Sequence, residues 1–373
     1  MHWNWQLQDW TCFQFDRARL EEAEKRLLKG SGVVVGSMQH LDNAATQHLV
    51  VQLLSQEMVQ SSAIEGEVLD RASVQSSIAR QLGFAADRRR SSPAEAGAAE
   101  LMTDLYRNCS TPLTDQGLFA WHAMLMNGRR DLEVIGGYRQ HKEAMQIISG
   151  PVHAPHIHFE APPSERVPAE IARFVDWYNE TAPGGADPLP ALERAGIAHL
   201  WFETIHPFED GNGRLGRALA EKALAQTLET PVVTGLAATI NAHKKAYYDE
   251  LHRASTSNHI ESWMAWFASI VLEAQSRTIA TIKFVVEKTR FLDGLRGQLN
   301  PRQEKAVLRM LAEGIDGFQG GLSAQNYRAI TGATSATATR DLAELVVLGA
   351  FIRTGENRYA RYALKLDHYL RAS

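Results

Sequence analysis

The stretch His206-Pro207-Phe208-Glu209-Asp210-Gly211-Asn212-Gly213-Arg214-Leu215-Gly216-Arg217 combines a base, carboxylates, an amide, glycines and two arginines. Gly211 and Gly213 carry no side chain that would block a ligand, so the backbone N–H groups between them can close on phosphate oxygens. Apolar residues such as Leu215 and Leu219 then recur at helical spacing in a run rich in Ala, Leu, Glu and Lys. The stretch therefore predicts an anion-binding loop that opens a helix.

The charged side chains of this stretch suit phosphate chemistry. Arg214 and Arg217 are three positions apart, so both guanidinium groups share one face of the predicted helix and can neutralise a polyphosphate. Asp210 precedes the loop, where a carboxylate oxygen can hold Mg2+ against the same phosphates. His206 can deprotonate an attacking hydroxyl. A lone histidine or an arginine pair is more often structural, but together these residues favour a transferase site, with Phe208 as an apolar anchor of the loop.

The stretch resembles the signature of the Fic family, whose members are mostly helical and most commonly transfer AMP from ATP to a Ser, Thr or Tyr hydroxyl of a protein. The resemblance implies that His206 is the general base and Asp210 the Mg2+ ligand. It assigns the phosphates of ATP to Gly211, Asn212, Gly213, Arg214 and Arg217. Arg214 would bind the β-phosphate side and Arg217 the γ-phosphate. Family members that transfer phosphate carry a lysine at the position of Gly213, so this glycine favours AMP, with UMP or another nucleotide as the alternative.

A second segment, residues 44–67, has roughly the spacing of an amphipathic helix and ends in Ser61-Ser62-Ala63-Ile64-Glu65-Gly66. By composition alone, Glu65 is a solvated carboxylate on the last turn and Gly66 a helix stop. The hexapeptide nevertheless resembles the inhibitory Fic motif through Ser61, Glu65 and Gly66. The resemblance implies that Glu65 pairs with Arg217 in the place of the γ-phosphate and leaves the resting protein autoinhibited. It also implies the subclass with an N-terminal inhibitory helix, where in some members the glutamate positions water that removes AMP from the target.

Two short apolar runs, residues 144–148 and 156–159, flank a Gly150-Pro151 turn and predict a β-hairpin. The Fic resemblance implies a flap that holds a segment of the target protein by strand addition. An ordinary structural hairpin is the alternative interpretation. Three histidines, His153, His156 and His158, could suggest zinc, but no cysteine accompanies them and alternate residues of a strand share a face by geometry alone.

The segment after the signature, residues 241–251, predicts a helix with adjacent tyrosines. The family resemblance places the adenine pocket there, and the residues that would line it are Tyr247, Tyr248 and Leu251. Tyr248 and Leu251 are three positions apart and can form one wall. Half-buried packing is the more common role of such tyrosines, and this interpretation stays open.

The composition sets the remaining bounds. The chain has 373 residues, of which 45% are hydrophobic and 22% charged, and a formal net charge of −4, values typical of a soluble globular protein. Its two cysteines, Cys12 and Cys109, provide no disulfide framework and suit a reducing compartment, so the cytoplasm is expected. No apolar run approaches the length that crosses a bilayer, so no membrane association is expected. The aromatic opening, from Trp3 to Phe15, resembles an N-terminal extension that packs on the catalytic core in a bacterial Fic subgroup. An ordinary core-forming strand or helix is an equally consistent interpretation.

The C-terminal residues 299–373 predict a separate compact unit. Helices are expected over 301–312, 323–330 and 335–348, followed by a hairpin around Gly355, which is the outline of a winged helix. The unit holds ten Lys/Arg and seven Asp/Glu, a net charge of +3. This charge is small for a DNA-binding domain, so protein docking or dimerisation is favoured over DNA contact. Whether the chain forms a homo-oligomer stays open.

The predicted architecture is mainly α: a helical Fic core with a small β-hairpin flap, plus a C-terminal winged-helix domain. The expected boundaries are 1–95 for the N-terminal region with the inhibitory helix, 96–291 for the catalytic core and 299–373 for the winged helix. The predicted function is a protein adenylyltransferase that uses ATP and Mg2+, modifies a target protein and is inhibited by Glu65. The alternative is an ATP-sensing regulator that binds DNA through its C-terminal unit.

Overall fold

The computed structural model describes residues 2–366, apart from residues 40, 88, 150–155 and 229–233. The chain divides into two compact units, one formed by Met1–Val35 and Gln47–Arg277 and the other by Gly36–Thr46 and Thr278–Ser373. About 63% of the described residues are helical, which confirms the prediction of a mainly α protein. Among the described residues, no helix is both long enough and apolar enough to span a membrane.

The helices that begin within residues 1–277 make up most of the first unit. In chain order they are α1 (Glu21–Met38), α2 (Asn43–Ile64), α3 (Arg71–Leu82), α4 (Pro93–Arg107), α5 (Asp115–Leu125), α6 (Val167–Glu180), α7 (Ala191–Ile205), α8 (Asn212–Thr227), α9 (Leu236–Ala242), α10 (Lys244–Ala254) and α11 (Glu261–Gly294).

Two successive helices, α7 and α8, form the centre of the first unit. Every residue of α7 except Glu203 is buried, and α8 is buried along most of its length. A helix that is covered on all sides belongs to the middle of a core. The loop that joins α7 to α8 therefore starts and ends on rigid elements. This loop is the start of the signature stretch.

A two-stranded antiparallel sheet, β1 (Gln146–Ser149) and β2 (His156–Glu160), confirms the predicted hairpin. Gln146 lies opposite Glu160, and the register shifts between Ile147 and Ile148. The predicted Gly150-Pro151 turn and His153 lie outside the described residues. The imidazole rings of His156 and His158 are 4.5 Å apart.

The N-terminal aromatic segment packs on the core of the first unit. Trp3, Trp5 and Trp10 are buried, and the indole N–H of Trp5 donates to the carbonyl of Glu160 at 2.7 Å. The buried Asn4 side chain donates to the hydroxyl of Thr204 on α7. The N-terminal aromatic segment therefore contacts both the hairpin and α7 through these two hydrogen bonds.

The second unit has a separate hydrophobic core. Its elements are α12 (Pro301–Leu311), α13 (Ala324–Thr331), α14 (Ser335–Val347), β3 (Phe351–Thr354) and β4 (Arg361–Leu364). The two strands pair antiparallel. The buried Asp341 on α14 binds the guanidinium of Arg302 at 2.8 Å and the hydroxyl of Tyr327 at 2.9 Å, so one carboxylate connects all three helices.

A pair of glycine variants tests the packing of the first unit. A β-carbon on the buried Gly97 of α4 would overlap the carbonyl oxygen of Met124 on α5, whereas one on the exposed Gly32 of α1 would meet nothing. Gly97→Ala should therefore destabilise the protein by about 1–3 kcal/mol. Gly32→Ala should stabilise it by up to about 1 kcal/mol, because alanine is the better helix former. Thermal unfolding of both variants measures this, and a similar effect of the two would contradict the packing described.

Candidate functional site

A cavity of about 640 Å3 opens in the first unit at the junction of α7 and α8. The end of α2, the hairpin and α10 complete its walls. The predicted site residues among its lining are Glu65, His206, Asp210, Gly211, Asn212, Gly213, Tyr247, Tyr248 and Leu251. Residues from four separate parts of the sequence therefore meet in one cavity. Arg214 and Arg217 lie behind this surface, on the first turns of α8.

His206 ends α7 in a left-handed backbone conformation, with φ of 50° and ψ of 59°. A non-glycine residue with this backbone needs support from its surroundings. The support is Arg139, a buried side chain whose Nε donates to the His206 carbonyl at 2.8 Å and whose Nη2 donates to the Pro162 carbonyl at 2.5 Å. The backbone N–H of Arg139 also binds the carbonyl of Pro207. Arg139 thus fixes the loop, a role that its sequence context did not indicate.

The imidazole of His206 is held in a form that can accept a proton. Burial lowers its pKa to about 4, and the nearby Arg139 charge acts in the same direction. Nδ1 lies 3.3 Å from the carbonyl of Glu203. With a proton on Nδ1, Nε2 is left as the acceptor. At neutral pH the ring is therefore an uncharged base.

Asn212 closes the loop on itself. Its side-chain oxygen accepts from the N–H of Phe208 at 3.0 Å, and its side-chain N–H donates to the carbonyl of the same residue at 2.8 Å. The Phe208 ring is fully buried and stacks on His122 at 4.1 Å, as an apolar anchor should. The Asn212 side chain, predicted to contact phosphate, is thus engaged within the loop, and its backbone N–H belongs to the first turn of α8.

Glycine is required at positions 211 and 213 of the loop for different structural reasons. Gly211 precedes α8 with a φ of 85°, and a β-carbon there would lie 2.8 Å from Met126 Cε. At Gly213 a β-carbon would overlap the Glu65 carboxylate. The first N–H groups of a helix have no intrahelical partner, so the start of α8 can bind an anion from the cavity.

Arg217 is buried, and the end of α2 neutralises its charge. Its Nε donates to Ser61 Oγ at 2.8 Å, and its Nη2 donates to the Ser61 carbonyl at 2.9 Å and to Glu65 Oε1 at 2.8 Å. Only 1% of the Arg217 side chain is exposed. Its Nη1 is buried and has no hydrogen-bond partner among the described residues. The structure therefore brings Glu65 and Arg217 together in the pair that the resemblance implied.

Arg214 carries a second ion pair, which the sequence did not indicate. Its Nη1 lies 2.5 Å from Glu67 Oε2, and its Nη2 lies 3.3 Å from Asp210 Oδ1. Arg214 is only 5% exposed, whereas Glu67 is 36% exposed. Glu67 thus covers this arginine from the solvent side.

A single turn presents both carboxylates of the α2 end. Gly66 has a φ of 83°, its N–H bonds to the Ala63 carbonyl, and the Glu67 N–H reaches back to the Ser62 carbonyl. These two bonds around a left-handed glycine form a Schellman motif. Glu65 therefore lies just before the glycine and Glu67 just after it.

Asp210 is an ionised carboxylate in the lining of the cavity. Burial opposes ionisation, but the hydrogen bond from Arg129, at 2.5 Å, and the charge of Arg214 lower the pKa of Asp210 below its ordinary value. An ionised oxygen ligand suits Mg2+, which commonly takes one or two carboxylates together with substrate phosphates and water. Among the described residues, no group of three or more His, Cys, Asp or Glu side chains could hold a metal ion. The residues present therefore fit an ion that is shared with a phosphate ligand.

The predicted adenine wall divides into two kinds of residue. Tyr247 is fully buried, and its hydroxyl lies 2.9 Å from Nε2 of His199. Tyr248 is 41% exposed, and Leu251 is partly buried one turn further along α10. The Tyr248 hydroxyl donates to the carbonyl of Ile64 at 3.4 Å, which connects α10 to the end of α2. All three residues line the cavity, and the hydroxyl of Tyr247 is engaged with His199, which leaves Tyr248 and Leu251 as the residues that can face a ligand.

Glu203 is a cavity residue that the sequence analysis did not identify. Its Oε1 is buried with no hydrogen-bond partner among the described residues. Burial raises its pKa to about 8, although the charge of Arg217 acts against this and that of Glu65 adds to it. Only the glycine at position 216 leaves room for this carboxyl group between α7 and α8. At neutral pH, Glu203 is largely a neutral acid.

The free energy of unfolding should depend on pH because the folded protein holds the proton of the Glu203 carboxyl group to a higher pH than the unfolded chain does. The unfolded chain loses it near pH 4.5, while the folded protein keeps it to about pH 8. As the pH rises through this window, the unfolded state binds fewer protons, so Glu203 lowers the free energy of unfolding by up to about 1.4 kcal/mol per pH unit. Glutamine carries no ionisable proton, so Glu203→Gln removes this pH-dependent decrease in the free energy of unfolding. The variant should gain stability relative to the wild type between pH 5.5 and 8.

Urea unfolding followed by tryptophan fluorescence measures the difference, because all eight tryptophans lie in the first unit. All other ionisable groups are the same in both proteins, so their contributions cancel in the difference. A difference in free energy of unfolding that is the same at pH 5.5 and pH 8 would contradict the buried neutral acid.

Comparison with known families gives two matches. The model described as the Fic/DOC family matches residues 112–224, and a model described as a domain of unknown function (DUF4172) matches residues 3–84. The first match contains the signature stretch, α7 and most of α8. The second contains α2 and its final turn.

Curated relatives include proteins named protein adenylyltransferase. The chain is 35% identical over 91 residues to protein adenylyltransferase fic-1 of Caenorhabditis briggsae, which is 24% of this chain and 16% of the relative. It is 27% identical over 149 residues to the Caenorhabditis elegans protein of the same name, covering 40% of this chain and 27% of the relative. It is also 39% identical over 69 residues to the probable protein adenylyltransferase aq_aa38 of Aquifex aeolicus (strain VF5), covering 18% and 20% respectively. The matched part thus spans no more than about a quarter of these relatives.

Solved structures share the fold. A Fic family protein from Desulfovibrio desulfuricans G20 is 22% identical with a TM-score of 0.53, and the match covers 92% of this chain and 95% of that one. A Fic domain containing signaling protein from Bacteroides thetaiotaomicron VPI-5482 is 18% identical with a TM-score of 0.51, over 70% of this chain and 97% of that one. At these identities the likeness concerns the fold.

Proposed function

Residues 112–224 form a Fic/DOC family domain, and from this premise we propose that the chain is a protein adenylyltransferase. It would transfer AMP from ATP to a Ser, Thr or Tyr hydroxyl of a target protein. The observation that carries the proposal is one cavity in which a neutral His206, an ionised Asp210 and the start of α8 face the same space. The curated relatives named protein adenylyltransferase support the same reaction class.

The proposed reaction is a displacement at the α-phosphorus of ATP. Nε2 of His206 takes the proton of the target hydroxyl, and the oxygen attacks the α-phosphorus. The bond from this phosphorus to the bridging oxygen of the β-phosphate breaks, and pyrophosphate leaves. The N–H groups at the start of α8, around Gly211 and Gly213, stabilise the charge that develops on the α-phosphate.

The β- and γ-phosphates of ATP would bind to the two arginines of α8. Arg214 would bind the β-phosphate side and Arg217 the γ-phosphate, and Asp210 would hold Mg2+. The ion supplies charge neutralisation when it is bound. Adenine would lie against Tyr248 and Leu251, with Tyr247 behind them.

The hairpin would hold the target protein beside this site. Ile147, Ile148 and Ile157 are exposed apolar residues on its two strands. A two-stranded sheet has free edges, and an extended segment of the target can add to one of them through backbone hydrogen bonds. We assign a docking role also to the second unit, as a winged-helix domain, on the basis of its three helices followed by a hairpin.

In the resting protein, Glu65 inhibits transfer. Its carboxylate takes the charge of Arg217 that the γ-phosphate needs, and it repels the phosphate itself. ATP that binds without this contact has a misplaced α-phosphate, which can lower the rate about 100-fold. The same carboxylate is placed to orient a water molecule for removal of AMP from a modified target.

Intact mass of the purified protein after incubation with Mg-ATP tests the proposal. Glu65→Gly should acquire one AMP by self-modification at about 100 times the rate of the wild type, because Arg217 becomes available to the γ-phosphate. Glu65→Gly/His206→Ala should acquire none, because the base is missing. Labelling of an added cell extract with an ATP analogue extends the assay to target proteins.

Two outcomes would contradict this function. Equal labelling with and without His206 would exclude it as the base. Absence of AMP on both the Glu65→Gly protein and every protein of the extract would exclude AMP transfer.

A further inference from the structure

The inhibitory turn holds two carboxylates, and each contacts a different arginine of α8. Glu65 Oε1 lies 2.8 Å from Arg217 Nη2, and Glu67 Oε2 lies 2.5 Å from Arg214 Nη1. Both arginines are almost completely buried, at 1% and 5% exposure. The turn therefore neutralises both guanidinium groups that the proposed function assigns to the β- and γ-phosphates.

The backbone fixes this double contact. The Schellman bonds from Gly66 and Glu67 back to Ala63 and Ser62 hold the turn rigidly against the end of α2. The α2 helix is anchored further back, where the buried Glu57 accepts from the N–H of Ala237 at 2.8 Å. Glu67 thus reaches Arg214 from a fixed position, and its ion pair is not a chance contact of a free surface chain.

We propose that Glu67 is a second inhibitory residue, which closes the Arg214 phosphate subsite independently of the closure of Arg217 by Glu65. The inference rests on the proposed function, since it uses the assignment of Arg214 to the β-phosphate side. A nucleotide phosphate must displace the Glu67 carboxylate to reach Arg214, and the carboxylate repels the approaching anion. The resting protein then resists nucleoside diphosphates as well as triphosphates.

The two closures differ in which nucleotide they affect. ADP has no γ-phosphate, so the pair between Glu65 and Arg217 occupies a subsite that ADP does not use. The pair between Glu67 and Arg214, by contrast, occupies the subsite of the β-phosphate, which ADP does use. ADP affinity therefore isolates the effect of Glu67, and ATP affinity responds to both residues.

Glu67→Gln is the sharpest variant. It removes the charge and keeps the size of the side chain, and Arg214 retains its ion pair with Asp210, so no buried charge is left without a partner. Glu100→Gln is the matched control, because Glu100 is an exposed acid on α4 and its loss changes the net charge equally. Glu67→Ala serves as a second variant, and thermal unfolding verifies that each protein is folded.

Isothermal titration with Mg-ADP and Mg-ATP measures the effect in the wild type, Glu67→Gln, Glu65→Gly and the double variant. In Glu67→Gln, no carboxylate competes with the ADP phosphate for the charged hydrogen bond of Arg214. ADP should therefore bind about tenfold more tightly than to the wild type. Glu65→Gly should act mainly on ATP, and the two substitutions together should give the tightest ATP binding. An ADP affinity that changes less than twofold in both folded Glu67 variants, or equally in Glu100→Gln, would overturn the proposal.

These titrations separate the inference from the function on which it rests. A tenfold gain in ADP affinity, with no AMP on the Glu65→Gly protein or on any protein of the extract in the mass and labelling assays, would support the second closure and reject the transferase. AMP transfer by Glu65→Gly without a gain in ADP affinity in the Glu67 variants would support the transferase and reject the second closure.

Discussion

The buried charge of Arg217 is the constraint on which the site depends. A guanidinium group that is 1% exposed needs an anion and hydrogen-bond acceptors beside it, since an unpaired buried charge is strongly destabilising. Ser61 and Glu65 provide them and thereby hold the end of α2 against α8. A γ-phosphate is an anion that can take the same place. Under the proposed function, inhibition by Glu65 and binding of the γ-phosphate would be two ways of neutralising one charge, and they would exclude each other.

The loop between α7 and α8 places two ionisable residues, only four positions apart, in environments that favour opposite charge states. His206 lies where burial removes its proton, whereas Asp210 lies between Arg129 and Arg214, which keep it ionised. An uncharged imidazole and an ionised carboxylate thus coexist at one pH. Arg139 supports this arrangement, because its bonds to the carbonyls of His206 and Pro207 hold the left-handed backbone of His206. Packing within the protein therefore positions the groups to which the proposed function assigns the chemistry.

Much of this arrangement is visible in the sequence, because it is encoded locally. The helical spacing, the hairpin and the loop before α8 follow from residues that are close in the chain, and the resemblance added the distant pair of Glu65 and Arg217. The contacts that were not predicted depend on tertiary structure. Glu67 reaches Arg214 only because Gly66 turns the chain, and Asn212 and Tyr247 turn their side-chain polar groups toward Phe208 and His199. Residue type and spacing do not specify such partners.

A crystal structure of the Glu65→Gly protein with Mg2+ and a non-hydrolysable ATP analogue tests the central claim most directly. We predict the γ-phosphate on Arg217, in the place of the Glu65 carboxylate. The α-phosphate should lie at the start of α8, with Nε2 of His206 facing the position of an in-line hydroxyl. A triphosphate bound away from Arg217, or an α-phosphate remote from His206, would contradict the account.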